Sequence, residues 1–212
     1  MKARTAQGNQ IRGLLSEFGI TIPKGIDAIA KRIPEILEDA ENGLPGTIRQ
    51  LLVRLTKNLK EMDRQVNELE AQIQRWHKEN EASSKLAEIP GIGPITASAI
   101  VASVGDAREF KNGRQMAAWM GLVPRQNSSG GKIRLMGISK RGDPYLRRLF
   151  IHGARAVLAR IKREEHQFGN WLDRLETRSP RNVVIVAMAN KIARIAWAVL
   201  TRGQTYCATA ST

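Results

Sequence analysis

The chain has 212 residues, 42% of them hydrophobic, and a formal net charge of +14, enough for one or two domains with an ordinary core. Its one cysteine, Cys207, excludes an internal disulfide, and His77, His152 and His166 have no ligand spacing with it or with one another, so protein-bound zinc is not expected and no metal ligand is assigned. No apolar run comes near the roughly 20 residues of a membrane span, and the opening MKARTAQGNQ lacks the apolar stretch of a secretion signal, so we expect a cytoplasmic protein with no membrane partner.

The pattern along the chain predicts a mainly α protein. Residues 4–19 place Ile11, Leu14, Leu15 and Phe18 on one helical face, with Gly19 as a stop. A loop over 20–25 leads to a short amphipathic helix around 26–40, and Asn42, Gly43, Pro45 and Gly46 break the chain again. Residues 1–45 therefore read as linker helices. Over 46–82, Leu55, Leu59, Met62, Val66, Leu69, Ile73 and Trp76 recur at alternating spacings of four and three, a seven-residue repeat. The repeat favours a coiled coil, and hence a homo-oligomer joined through residues 46–80, over packing of this helix on residues 4–40.

A third region, 83–203, opens with LAEIPGIGPITASAIVASVGD, the pattern of a helix-hairpin-helix. Gly91 and Gly93 permit positive φ and bring no side chain, so main-chain N–H groups can approach a phosphate. The following helix, which begins near Thr96, presents its positive end to the same anion. Such contact grips the DNA backbone and carries little sequence information. Residues 107–120 read as a continuing helix ended by Gly121, and Val123 with 133–136 as a small hairpin across Ser128, Ser129, Gly130 and Gly131. Asp143 and Pro144 are a strong helix start; Leu146, Leu149, Phe150, Gly153, Val157 and Ile161 form its buried face, and Arg148, Arg155 and Lys162 one exposed basic stripe. A closing helix over 180–202 is apolar enough to be the core of this half, Gly203 stops it, and 204–212 read as a flexible tail.

Between Arg125 and Arg163 there are eleven Lys or Arg and one acid, Asp143. Such clustering is the footprint of nucleic-acid binding, favoured here over a solvated basic face or an anionic lipid surface. The candidate DNA contacts are Gly91, Gly93, Thr96, Arg125, Lys132 and Arg134, with Lys140, Arg141, Arg147, Arg148 and Arg155 beyond them. A hydroxyl among these cations, Ser129 or its neighbour Ser128, has no histidine nearby in sequence to take its proton, so a hydrolase triad is unsupported. The guanidinium and ammonium groups could still stabilise an alkoxide and the charge of a phosphoryl-transfer transition state. By chemistry alone, though, such turns more often bind or simply turn.

Residues 86–203, with IPGIGPITA, AAWMGLVPRQNSSGGKIRLMGISKRGDPYLRRLF and the closing apolar helix, resemble the C-terminal transposase domain of the DEDD-type insertion-sequence transposases, a bacterial recombinase family guided by a bridge RNA. Residues 4–80 resemble the linker helices and coiled coil that precede that domain. The resemblance implies DNA transposition through a serine in Pro-Arg-x-x-Ser-Gly, which matches Ser129 with Ser128 as fallback, and a possible bridge-RNA partner. It also implies magnesium, held by four acids of an N-terminal domain that none of Asp27, Glu35, Asp39, Glu61 or Asp63 matches. On that resemblance the expectation is a truncated transposase, inactive alone, with no cofactor in this chain; a non-catalytic DNA- or RNA-binding remnant or regulator of a full-length transposase is the alternative.

Overall fold

A computed structural model describes residues 2–129, 132, 134–164 and 166–207. Those residues are mostly helical, with one two-stranded antiparallel sheet. The chain forms two compact units, Met1–Gln72 and Ile73–Thr212.

In the first unit, α1 (Lys2–Ser16), α2 (Ile26–Glu38) and the first half of α3 (Gly46–Glu79) bury one core. Ile11 and Leu15 from α1, Ile29 and Ile33 from α2, and Leu52 and Leu59 from α3 are its centre. The Arg49 guanidinium closes the α2–α3 corner, donating to the Leu37 carbonyl at 2.8 Å, the Asp39 carbonyl at 2.6 Å and the Asn42 Oδ1 at 2.6 Å. Helix-end carbonyls have no partner inside their own helix, and this side chain supplies one. The heptad stripe of α3 is divided by this core. Leu55 and Met62 pack with Leu59 against α1 and α2, because the isoleucine face of α2 offers an apolar partner in the same chain. Farther on, Leu69 is 58% exposed and Trp76 41%, so any seam for another chain narrows to residues 66–76.

The second unit is built around α9 (Arg181–Arg202). Val184, Met188, Ala189, Ile192, Ala193 and Ala196 are buried along it. Against it pack α4 (Glu81–Ala87), α6 (Gly113–Trp119), α7 (Pro144–Arg160) and α8 (Gly169–Glu176), while α5 (Pro94–Val104) packs on α4 and α7. By length and composition α9 could cross a bilayer, a property that a search for an unbroken apolar run misses. Its burial among the other helices is that of a core helix.

Three sequence expectations change here. The helix expected over 107–120 is a 3₁₀ turn, Ala107–Glu109, followed by α6. Asp106 and Asn112 each accept main-chain N–H bonds, at Arg108 (2.9 Å) and Gln115 (3.0 Å), and so restart the chain twice. The short helix α8 had no strong signal at all. Of the expected tail, Tyr206 packs on the core and its hydroxyl accepts from the Gln167 amide at 2.7 Å; 208–212 lie outside the described residues.

The crossing of α7 with the turn before α5 leaves no room for a side chain on either segment. Gly91 has φ +90°, and a methyl group on it would lie 2.9 Å from the Gly153 carbonyl oxygen; one on Gly153 would overlap the Gly91 carbonyl. Each glycine makes room for the other's backbone. Gly153→Ala is expected to destabilise the protein by about 1–3 kcal/mol or more through overpacking, whereas Gly137→Ala, with open space around it, is expected to be near neutral. Thermal unfolding of the two variants checks this.

Candidate nucleic-acid interface

Nearly all the excess charge lies in the second unit: residues 73–212 hold 23 of the 34 Lys and Arg but 10 of the 20 Asp and Glu. A ribbon carries part of it. Strands β1 (Pro124–Gln126) and β2 (Leu135–Ile138) are antiparallel and exposed along most of their length. Their ladder continues to the tip, where the Lys132 N–H donates to the Ser129 carbonyl at 3.1 Å. Gly130, Gly131 and Ile133 lie outside the described residues.

Register assigns the two serines to different faces. Gln126 pairs with Leu135, Asn127 with Arg134 and Ser129 with Lys132, all in one register. Successive strand residues point to opposite faces, and cross-strand partners share a face. Ser129 therefore shares its face with Lys132, Asn127 and Arg134, while Arg125 is exposed where the register shifts between Pro124 and Gln126. Ser128 falls on the other with Gln126 and Leu135, and its Oγ accepts from the Gln126 amide at 3.0 Å and the Arg134 N–H at 3.3 Å. The Ser128 hydroxyl is thus engaged in holding the ribbon, while Ser129 is exposed on the cationic side.

The base of the ribbon is pinned to the end of α6. A methyl on Gly121 would overlap the Arg141 carbonyl, and one on Gly142 the Trp119 carbonyl; again two backbone segments meet where no side chain intervenes. Lys140, at this crossing, takes φ 54°, which few non-glycine residues adopt. Arg147 Nη1 donates to the Met120 carbonyl at 3.2 Å and the Arg141 carbonyl at 3.5 Å. Half-buried and turned to these carbonyls, Arg147 braces the ribbon where an outward phosphate contact was expected. Lys140 and Arg141 are exposed.

Asp143 Oδ1 caps α7, accepting from the Tyr145 N–H at 2.6 Å and the Leu146 N–H at 3.3 Å. Arg148 and Arg155 are exposed on this helix, but Lys162 lies beyond its end at Arg160, so the basic stripe is shorter than expected. At 100° per residue, Arg148 and Arg155 stand about 140° and 160° around α7 from Gly153. They consequently lie on the flank away from the Gly91 turn. Arg160 lies within about 20° of Gly153, making it the exposed cation on the turn's own flank, and the seven-residue spacing from Gly153 was the signal for it.

At that turn the two predicted glycines part company. Gly91 is occupied with α7, whereas Gly93, the N-cap of α5, is exposed with open space around it. The N–H groups of the first turn of a helix have no partner within it, so those of Ile95 and Thr96 are available to an anion. The Thr96 side chain is buried; only its main chain serves.

Residues 83–170 match the family described as "Transposase IS116/IS110/IS902 family". The chain is 47% identical over 207 residues to "Probable family 20 transposase" of Pseudomonas aeruginosa, covering 97% of this chain and 61% of that protein. It is 43% identical over 206 residues to "Transposase for insertion sequence element IS1111A" of Coxiella burnetii, covering 97% and 57%. A more distant relative is "Pilin gene-inverting protein" of Moraxella bovis, 30% identical over 130 residues, covering 60% and 39%. The chain spans about three-fifths of the length of the first two.

The two arginine types in this interface are separable by experiment. Arg147→Ala is expected to cost about 1–2 kcal/mol, a lowering of the melting temperature by roughly 2–8 °C, with Arg148→Ala within about 0.5 kcal/mol of the parent. Arg125→Ala is expected to leave stability unchanged and to reduce the salt dependence of DNA binding by about one counterion.

Proposed function

We propose, from the match of residues 83–170 to the IS116/IS110/IS902 transposase family, that this chain grips DNA and presents Ser129 as the nucleophile of an insertion-sequence transposition reaction. What supports the proposal is the register that puts Ser129, Lys132 and Arg134 on one face of an exposed ribbon, with Arg125 exposed at its base. A two-stranded ribbon is narrow enough to enter a major groove, and cations flanking a hydroxyl stabilise its alkoxide and the equatorial oxygens of a phosphoryl group under attack. Attack by Ser129 Oγ on a DNA phosphorus forms a phosphoserine ester and releases one strand oxygen, retaining the phosphodiester energy for rejoining. The main-chain amides at the start of α5 hold a second phosphate, in the manner of a helix-hairpin-helix.

The family's magnesium does not fit this part of the chain: among the described residues no three of His, Cys, Asp or Glu come together as ligands, so no step is routed through a metal here. A second reading is a non-catalytic DNA- or RNA-binding regulator of a full-length transposase. A bridge RNA is the further partner that the family resemblance suggests, the residue 66–76 face of α3 the seam through which two copies join, and the cytoplasm the compartment.

Incubation with a nicked DNA substrate, magnesium and the remaining transposase functions supplied in trans tests the nucleophile. A covalent protein–DNA adduct is expected from the parent and from Ser128→Ala, and none from Ser129→Ala. An adduct of equal yield from Ser129→Ala overturns the assignment; salt-sensitive DNA binding with no adduct from any of the three proteins points to the regulator. Gly93→Ala, which adds a methyl in open space, is expected to fold normally and to bind DNA more weakly.

A further inference from the structure

Beside α9 lies an open cavity of about 1380 Å³, larger than the roughly 300–1,000 Å³ of small-molecule sites. It runs along the helix from Asn182 to Arg202, about 30 Å at the rise of an α-helix. Its floor is apolar and aromatic: Val183, Val186, Ala187, Trp171 and the ribbon's Met136. Val183 is 52% exposed and Met136 44%. Its rim is cationic, from Arg114, Lys140, Lys191, Arg194 and Arg202, and no carboxylate is among the described residues that line it.

That combination matches one class of occupant. A duplex presents phosphates but shields the faces of its bases. An unpaired strand presents both phosphates for a basic rim and flat apolar rings for an aromatic floor. We propose that this groove holds an unpaired strand of DNA, with bases against the α9 floor and phosphates toward Arg114, Arg194 and Arg202. The proposal rests on the reading of the ribbon as a DNA contact, because the strand residues Pro124 and Met136 also line the groove.

Lys191 shows what the groove lacks. Its ammonium lies 4.3 Å from the Trp171 ring centroid and 4.9 Å from that of Phe168. Burial, and then repulsion from Arg194, hold its pKa below the ordinary lysine value. A phosphate on the rim relieves that repulsion. The close approach of Gly113 to the Arg194 backbone, 2.9 Å from a methyl on Gly113 to the Arg194 Cα, fixes the position of the rim relative to α6.

Fluorescence anisotropy with the full chain tests the groove. The probes are an oligothymidine of about twelve nucleotides, within known single-strand site sizes, a duplex of equal length, and the matching oligouridine. Val183→Glu places a carboxylate on an exposed part of the floor, and Arg194→Ala removes a rim cation; circular dichroism confirms their folding. Each variant is expected to lose about tenfold in affinity for oligothymidine, from lost or repelled phosphate and base contacts, and to bind duplex within about twofold of the parent, whereas Arg125→Ala does the reverse. Folded variants that keep full affinity for oligothymidine overturn the proposal. Tighter capture of oligouridine than oligothymidine overturns the commitment to DNA, and a change of oligomeric state in Val183→Glu without loss of strand binding makes the groove a subunit contact instead. Failure of the parent to bind duplex counts against the ribbon reading alone.

Discussion

The arrangement of the C-terminal unit depends on two peptide backbones that touch. Where Gly91 meets Gly153, neither segment has a side chain to hold the other away, and the gap is too small for one to be restored without displacing α7 or the turn. The contact orients the first turn of α5 toward solvent and sets the side of α7 on which it opens. Interiors are close-packed and resist even single methyl groups, so the position of the amides that could hold a phosphate is set by steric exclusion, with no hydrogen bond required. The same device recurs where Gly121 and Gly142 cross, and there it sets the root of the ribbon.

Charge is distributed over surfaces that these crossings keep apart. Exposed cations stand on the ribbon at Arg125, Lys132 and Arg134, on the α7 flank toward the α5 turn at Arg160, and on the other flank of α7 at Arg148 and Arg155. The α9 groove adds an apolar floor, which duplex DNA has no means of using.

Helix boundaries followed local chemistry closely. Asp143 with Pro144 starts α7, and Gly203 ends α9. Propensity and capping act within a few residues, so a reader of the chain can recover them. The break at 110–112 was hidden because Phe110 and Met116 continue a helical apolar pattern, while the carbonyls of Ala107 and Phe110 are drawn instead to the Trp197 Nε1–H at 3.0 Å and 3.2 Å, a bond across 90 residues that no local pattern announces.

The helical class, the heptad stripe and the basic stretch were legible along the chain, since each is a matter of composition or short-range spacing. It took long-range packing to set Leu55, Leu59 and Met62 within their own chain, Gly91 against α7 while Gly93 stays open, Arg147 against the ribbon's base, and the Ser128 hydroxyl into the ribbon's own hydrogen bonds. These outcomes turn on register and on which distant backbone arrives at a given atom. Both are properties of pairs of segments, and a single segment's residues carry no record of its partner.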